Sequence, residues 1–201
     1  MIYLIITTCI NNKFGFRHSA MREVMYREAI NLTLKYLPKD IKPIIVENNG
    51  KRKTYLDEFG IPILYTENNK NHYWHKGCNE LEDIKAVLQA FNIQDEDMVI
   101  KITGRYNPIS DAFFRLVQTE ESNYDGFVKF FNVCTKEFMT NDCVLGLFAL
   151  KAKHLKKYEM TDTVRSPEVQ FATFCRELNV KEVKQLDIRC IFADTLEVLV
   201  C

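Results

Sequence analysis

The chain is poor in the residues that build flexible or phosphate-cradling loops, with seven glycines and five prolines in 201 residues. No G-x-G-x-x-G follows the first apolar run, and no G-x-x-x-x-G-K, G-x-S-x-G or H-E-x-x-H occurs. Those gaps set aside ordinary dinucleotide oxidoreductases, P-loop enzymes, α/β-hydrolases and zincins, whose chemistry depends on those spacings. There is no Gly/Ser- or Pro-rich linker, repeat or low-complexity tract, so one domain over residues 1–201 is the economical expectation. A surplus of charge is lacking too, because 27 basic residues balance 27 acidic ones and the pI is about 6.9. A neutral chain is a poor candidate for gripping nucleic acid or an anionic membrane. Seven cysteines, odd in number, form no C-x-x-C, and most lie among apolar neighbours as Cys175 does. That pattern fits reduced core thiols and a reducing, cytoplasmic compartment. No apolar run approaches the roughly 18–20 residues of a membrane span. The opening MIYLIITTCI lacks the basic leader and small-residue cleavage site of a signal peptide, and is expected to be a buried first strand.

What is present is a well-furnished core, 47% hydrophobic and 12% aromatic, which excludes a disordered chain. Strand-length apolar runs at Ile2–Ile6, 43–46, Ile61–Tyr65 and Met98–Thr103 alternate with helical periodicity at Tyr26, Ile30, Leu34, Leu37 and at Leu81, Ile84, Leu88, Phe91. A short helix is expected near 54–59. Later, Ser110 is placed to cap a helix carrying Phe113, Phe114 and Val117, and Ser166-Pro167 to open one carrying Phe171, Phe174 and Leu178. Further strands are expected at 126–131, 186–192 and 196–200, with a buried apolar segment at 143–150. The β-α-β-α-β-α-β opening predicts an α/β fold with a mainly parallel central sheet flanked by helices.

In an open parallel sheet, ligands bind beyond the carboxyl ends of the strands. The residues after each expected strand are Thr7, Thr8 and Cys9; Glu47, Asn48 and Asn49; Thr66, Glu67 and Asn68; and Thr103, Gly104, Arg105 and Tyr106. Every strand must end in some polar loop, so polarity alone is weak evidence. Lys101, Thr103 and Arg105 add more, since alternation puts two cations on one face of a strand expected to be buried.

Three clusters carry competing readings. Asp95-Glu96-Asp97 contains a D-x-D that could hold a divalent metal, but it precedes the fourth strand, about 20 Å from the binding edge. A solvated turn is the simpler expectation. His72, His75 and Cys78 have metal-like spacing but no fourth ligand nearby. The alternative is that this loop leads into a helix beginning near Asn79, where Lys76, Gly77 and free N–H groups make an anion-friendly corner. Glu168, in a first helical turn, and Asp142, between a polar loop and a buried segment, are candidate bases. Each could equally be structural, one matched to a helix dipole and the other a turn aspartate.

The runs KGCNELEDIKAVLQAF and DMVIKITGRYNP, followed by DCVLGLFALKAKHLKKY, SPEVQFATF and CIFAD in that order, resemble small GT-A-type glycosyltransferases, particularly short ones from polysaccharide loci and large DNA viruses. The resemblance covers most of the chain, and KITGRY is its most specific piece. It implies a single GT-A-like domain with a nucleotide-sugar half at 1–106 and an acceptor and catalytic half at 107–201. It implies a nucleoside-diphosphate sugar donor and a hydroxyl-bearing glycan or glycoprotein acceptor. Thr7–Cys9 and Glu47–Asn48 would match the base-and-ribose end of the donor site, and Lys76 and Asn79 the helix start that faces the donor. The family's D-x-D belongs where this chain has Thr103-Gly104-Arg105-Tyr106, so the manganese or magnesium of such enzymes is not expected to find its carboxylates there. An arginine fork can pair with diphosphate oxygens instead. On this reading Arg105, with Lys101 or Lys76, supplies charge, and Glu168 or Asp142 supplies the base of an inverting transfer. A sugar nucleotidyltransferase, or a non-catalytic nucleotide-sugar or glycan-binding domain of the same fold, remains open.

Overall fold

Seven apolar or β-branched residues make Ile2–Thr8 a strand (β1) buried along its whole length. Such an unbroken run requires cover on both faces of the sheet. The computed structural model, which describes residues 1–11, 19–162, 165–192 and 197–201, provides that cover. Helix α1 (Ser19–Tyr36) leads to β2 (Ile41–Glu47), and a 3-10 turn at Tyr55–Phe59 leads to β3 (Ile63–Tyr65). Helix α2 (Lys76–Ala90) then leads to β4 (Met98–Thr103). After β5 (Asn107–Pro108) and α3 (Ala112–Glu120) come β6 (Gly126–Val128), β7 (Leu147–Lys151) and α4 (Ala152–Lys157). Helix α5 (Pro167–Cys175), β8 (Val180–Glu182), β9 (Ile188–Ile191) and β10 (Val198–Val200) complete the described elements.

One seven-stranded sheet runs in the order β3-β2-β1-β4-β7-β6-β8, and a small sheet in the order β10-β9-β5. The pairs among β1 to β4 are parallel, as expected, whereas β7 enters antiparallel to both β4 and β6. The single α/β domain is therefore mostly parallel, with one reversed strand near its middle. On one face, α1 and α3 and the small sheet cover Leu4, Ile6, Ile100 and Ile102; on the other, α2, α4 and α5 cover Tyr3, Ile5, Val46 and Val99.

Several expectations need adjustment. Helix α2 starts at Lys76, three residues before Asn79, so Lys76 stands in its first turn. The apolar run 143–150 becomes a strand only from Leu147, because Cys143 makes just an isolated bridge with Phe130. Asp111 rather than Ser110 occupies the position before α3, yet the Ser110 hydroxyl still accepts from the Ala112 N–H at 3.1 Å. The strand expected at 196–200 is seen at Val198–Val200; Leu196 and the Ala193-Asp194 end of CIFAD lie outside the described residues. The seven cysteines are free thiols. Among the described residues no helix is long and apolar enough to cross a membrane.

Candidate functional site

Parallel pairing brings the polar strand ends abreast. Thr7 of β1 stands opposite Thr103 of β4, and Thr8 opposite Glu47 of β2. A chain leaving β4 must then turn tightly over β1. Gly104 makes this possible, because a Cβ there would lie 2.9 Å from the Thr7 carbonyl oxygen, which accepts the Gly104 N–H. The turn delivers Arg105 and Tyr106 to the edge.

Two helix starts converge on the same place. Gly77, in the first turn of α2, lies so close to Pro167, the first residue of α5, that a Cβ would come within 2.8 Å of the proline ring. The Ser166 hydroxyl caps α5 by accepting from the Val169 N–H at 3.3 Å, and Glu168 falls in its first turn. Sequence reading treated the Lys76-Gly77 corner and the Ser166-Pro167 start separately, and the packing makes them neighbours. The aligned peptide dipoles of the two helices give this corner a positive partial charge.

Between these elements lies a cavity of about 330 Å³. Its walls include Thr7, Thr8, Cys9 and Asn48 from β1 and β2, and Lys76 and Asn79 from α2. They also include Lys101, Thr103, Arg105 and Tyr106 from β4 and its exit, and Glu168 from α5. Three expected site residues are placed differently. Glu47 is fully buried, and its carboxylate accepts from the Thr8 hydroxyl at 2.7 Å and from the N–H groups of Ile10 and Asn49, so it shapes the β1 exit from behind the wall. Burial raises its carboxyl pKa. Gly104 acts through its missing side chain. Asp142 accepts from Asn132 Nδ2 at 2.6 Å and from the Cys143 N–H at 2.7 Å, and it does not line the cavity.

Lys101 is 1% exposed. Its ammonium donates to Thr103 Oγ1 at 2.9 Å and to the Leu145 carbonyl at 2.8 Å, and pairs with Glu80 Oε1 at 2.8 Å. Three donors thus meet three acceptors, as a buried ammonium requires. Burial lowers the Lys101 pKa, with Glu80 acting against it. Glu80 also accepts from the Thr7 hydroxyl at 2.5 Å, so one carboxylate ties α2 to both central strands. Asp83, one turn further on, is 1% exposed and accepts from Asn48, Thr66 and Asn68 at 2.7–2.9 Å. Desolvation pushes its pKa up to about 6 despite those bonds.

Neither carboxylate was singled out from the sequence. A helical signal existed, because Lys76, Glu80 and Asp83 share a stripe beside the apolar Leu81-Ile84-Leu88 stripe. Arg22 was also missed. It donates to the Cys9 carbonyl at 2.5 Å and to the Tyr26 hydroxyl at 3.1 Å, fastening the β1 exit to α1. Arg105 donates through Nη1 to the Ile191 carbonyl. The side-chain oxygen of Asn79 is enclosed without a hydrogen-bond partner, an acceptor available to a ligand. Among the described residues no group of three or more His, Cys, Asp or Glu side chains is arranged to hold a metal ion. His72 and His75 contribute no such site, and His75 instead precedes the first residue of α2.

No protein-family profile matches the chain, and no curated protein matches its sequence. Solved structures do match in shape. A protein described as a nucleotide-diphospho-sugar transferase from Desulfovibrio desulfuricans superposes with a TM-score of 0.55 at 9% identity, over 90% of this chain and 78% of its own. The viral protein A197 from STIV gives 0.51 at 14% identity, over 100% and 94%. The mannosyltransferase PcManGT from Pyrobaculum calidifontis, solved with GDP-Man and Mn2+, gives 0.57 at 9% identity over 90% of this chain, which spans 54% of the mannosyltransferase. The chain has the nucleotide-diphospho-sugar transferase fold of the GT-A type.

Proposed function

We propose that this protein is a glycosyltransferase that binds a nucleoside-diphosphate sugar in the cavity and passes the sugar to a hydroxyl of a glycan or glycoprotein acceptor. The observation that carries this reading is the convergence of two helix starts, Arg105 and Glu168 on one cavity at the carboxyl edge of the parallel strands. Neighbours of the same fold support the ligand class, one holding GDP-Man and another, a CMP-linked octonic acid synthetase, holding CTP.

In the reaction, the bond between the anomeric carbon and the diphosphate oxygen breaks, and the diphosphate leaves with the electron pair. The positive dipole ends of α2 and α5 and the Arg105 fork stabilise that growing charge. A new bond forms from the acceptor oxygen to the anomeric carbon, and Glu168 takes the hydroxyl proton in an inverting transfer. Thr7, Thr8, Cys9 and Asn48 would face the nucleoside, and Asn79 would accept from a donor hydroxyl. Lys101 holds Glu80 and the strand ends in place, its charge already matched within the wall. The remaining cavity carboxylates among the described residues, Glu80 and Asp83, are engaged by protein donors, so the described residues do not fit a divalent cation. A cytoplasmic location is part of the same reading, supported by seven free thiols.

Incubation with UDP- and GDP-sugars, following both melting temperature and diphosphate release with and without chelator, tests the proposal. A stabilising shift and chelator-resistant release are expected. A shift without release makes this a binding domain. Pyrophosphate released from a nucleoside triphosphate and a sugar phosphate makes it a nucleotidyltransferase. No shift with any nucleotide sugar removes the proposal.

A further inference from the structure

The chain has one tryptophan, and it is not in the core. Trp74 is 85% exposed, more than any other large apolar side chain among the described residues. An indole left in water forgoes the burial that usually justifies so large an apolar group. Its backbone is nevertheless held firmly. The N–H groups of Trp74 and His75 donate to the two carboxylate oxygens of Asp162, at 2.7 and 2.9 Å. One residue earlier, the Tyr73 hydroxyl donates to Glu82 at 2.5 Å, and Asn71 Nδ2 donates to the same carboxylate at 2.7 Å, bracing the loop on α2.

Position gives this arrangement its meaning. Tyr73 and Lys76 line the cavity and Trp74 between them does not, so the loop that carries the exposed indole borders the cavity. Asp162 belongs to the segment leading into α5, the helix that carries Glu168. The loop presenting Trp74 is thereby tied to the side of the cavity where the acceptor hydroxyl must be deprotonated.

We infer that Trp74 is the stacking platform of the acceptor subsite, receiving the face of a pyranose ring of a glycan while the ring's neighbour reaches Glu168. The C–H-bearing face of a pyranose is apolar and weakly positive, and the indole face is apolar and weakly negative, so the two match in shape and charge. Four hydrogen bonds hold the loop that presents the indole, so its backbone loses little freedom on binding. This explains the otherwise metal-like HYWHKGC run, whose function would lie in what it displays. The inference rests on the transferase reading for the identity of the acceptor, and its test is chosen to be separable from it.

A sole tryptophan is its own reporter. The protein would be titrated with maltotetraose, cellotetraose, chitotetraose and mannotriose at millimolar concentration, then with UDP- and GDP-sugars, while the indole emission is followed. At least one oligosaccharide is expected to shift the emission to shorter wavelength, and the nucleotide sugars alone to leave it unchanged. With that oligosaccharide as acceptor, Trp74→Ala should raise the KM for acceptor about tenfold, the equivalent of about 1.4 kcal/mol. It should leave the thermal shift produced by the donor intact, and Trp74→Phe should recover part of the loss. The inference is overturned if no oligosaccharide changes the emission, if only nucleotide sugars do, or if anionic lipid vesicles do and the sugars do not. A donor-induced thermal shift with silent indole emission would sink the platform and leave the transferase standing. Glycan-dependent emission without donor binding would do the reverse.

Discussion

The two ends of β4 use the same chemistry for opposite purposes. At its amino end, Asp95 pairs with Lys156 at 2.7 Å, and Glu96 with Lys153 and Lys151 at 3.0 and 3.3 Å, the acids about two-thirds exposed. At its carboxyl end, Lys101 pairs with Glu80 at 2.8 Å inside the wall of the cavity. The distances are alike and the surroundings are not. Water and counterions screen the first set, and side-chain entropy opposes it. In the second set the Lys101 ammonium is desolvated, so it depends on Glu80 and its pKa is lowered by burial. A contact distance says little about an ion pair's importance until burial is known. The acidic D-x-D attracts attention in the sequence, but the structure surrounds its turn with lysines and pairs Asp97 with the N-terminal ammonium at 2.8 Å.

The sharpest tests act on the reacting groups at the carboxyl end. Glu168→Gln keeps shape and removes basicity, and should slow turnover by about a hundred- to ten-thousandfold in single-turnover assays. Arg105→Ala should cost about a hundredfold or more, through lost stabilisation of the leaving diphosphate. Normal turnover with a slightly lowered melting temperature would return Glu168 to a helix-dipole role.

Next in size is the buried pair. Glu80→Gln leaves the Lys101 ammonium in the wall without a counter-charge, and should cost about 3 kcal/mol in urea unfolding at neutral pH. Lys101 has a folded pKa already below the ordinary 10.5, so the folded state sheds its proton before the unfolded chain does. Stability should therefore recover as pH rises toward 10.5, and more steeply in the variant, whose ammonium is worse solvated. A loss that does not change with pH would show that Glu80 acts by packing alone.

A pH-linked effect of similar size belongs to Asp83. With its pKa at about 6 against 3.8 when unperturbed, the folded state holds this proton more tightly than the unfolded chain. Melting temperature should then fall as pH rises from about 4 to about 6, over a range worth about 3 kcal/mol at about 1.4 kcal/mol per pH unit. Asp83→Asn should flatten that part of the profile, and an unchanged slope would make Asp83 an ordinary carboxylate. Smallest of all is Asp95→Asn at the opposite end, which should leave both melting temperature and turnover at wild-type values. A loss of activity there would mean that the acidic turn, and not the Arg105 edge, holds the diphosphate.

Much of this molecule was legible before folding. Runs such as IYLIIT and MVIKIT must be buried on both faces, and their alternation with amphipathic helices leaves little choice but a parallel sheet. Parallel strands in turn place Thr7, Asn48, Thr103 and Arg105 at one edge, because every crossover returns the chain to the same end. The Ser166-Pro167 start was equally plain, since a capping hydroxyl before a proline is a local signal. Other features had no local signature. The reversed direction of β7 depends on a connection that the apolar run 143–150 does not encode. The roles of Glu80 and Asp83 appear only when α2 is laid across strands more than 15 residues away in sequence, turning two ordinary helical acids into a strap and a buried proton site. Glu47 and Asp142 look like site residues in sequence, and the tertiary structure turns Glu47 to the back of the wall and Asp142 into its own loop. Periodicity determines which face of an element meets the core, because burial of apolar surface depends only on spacing. Packing decides which polar groups lose their water, and that loss is what separates a working charge from a decorative one.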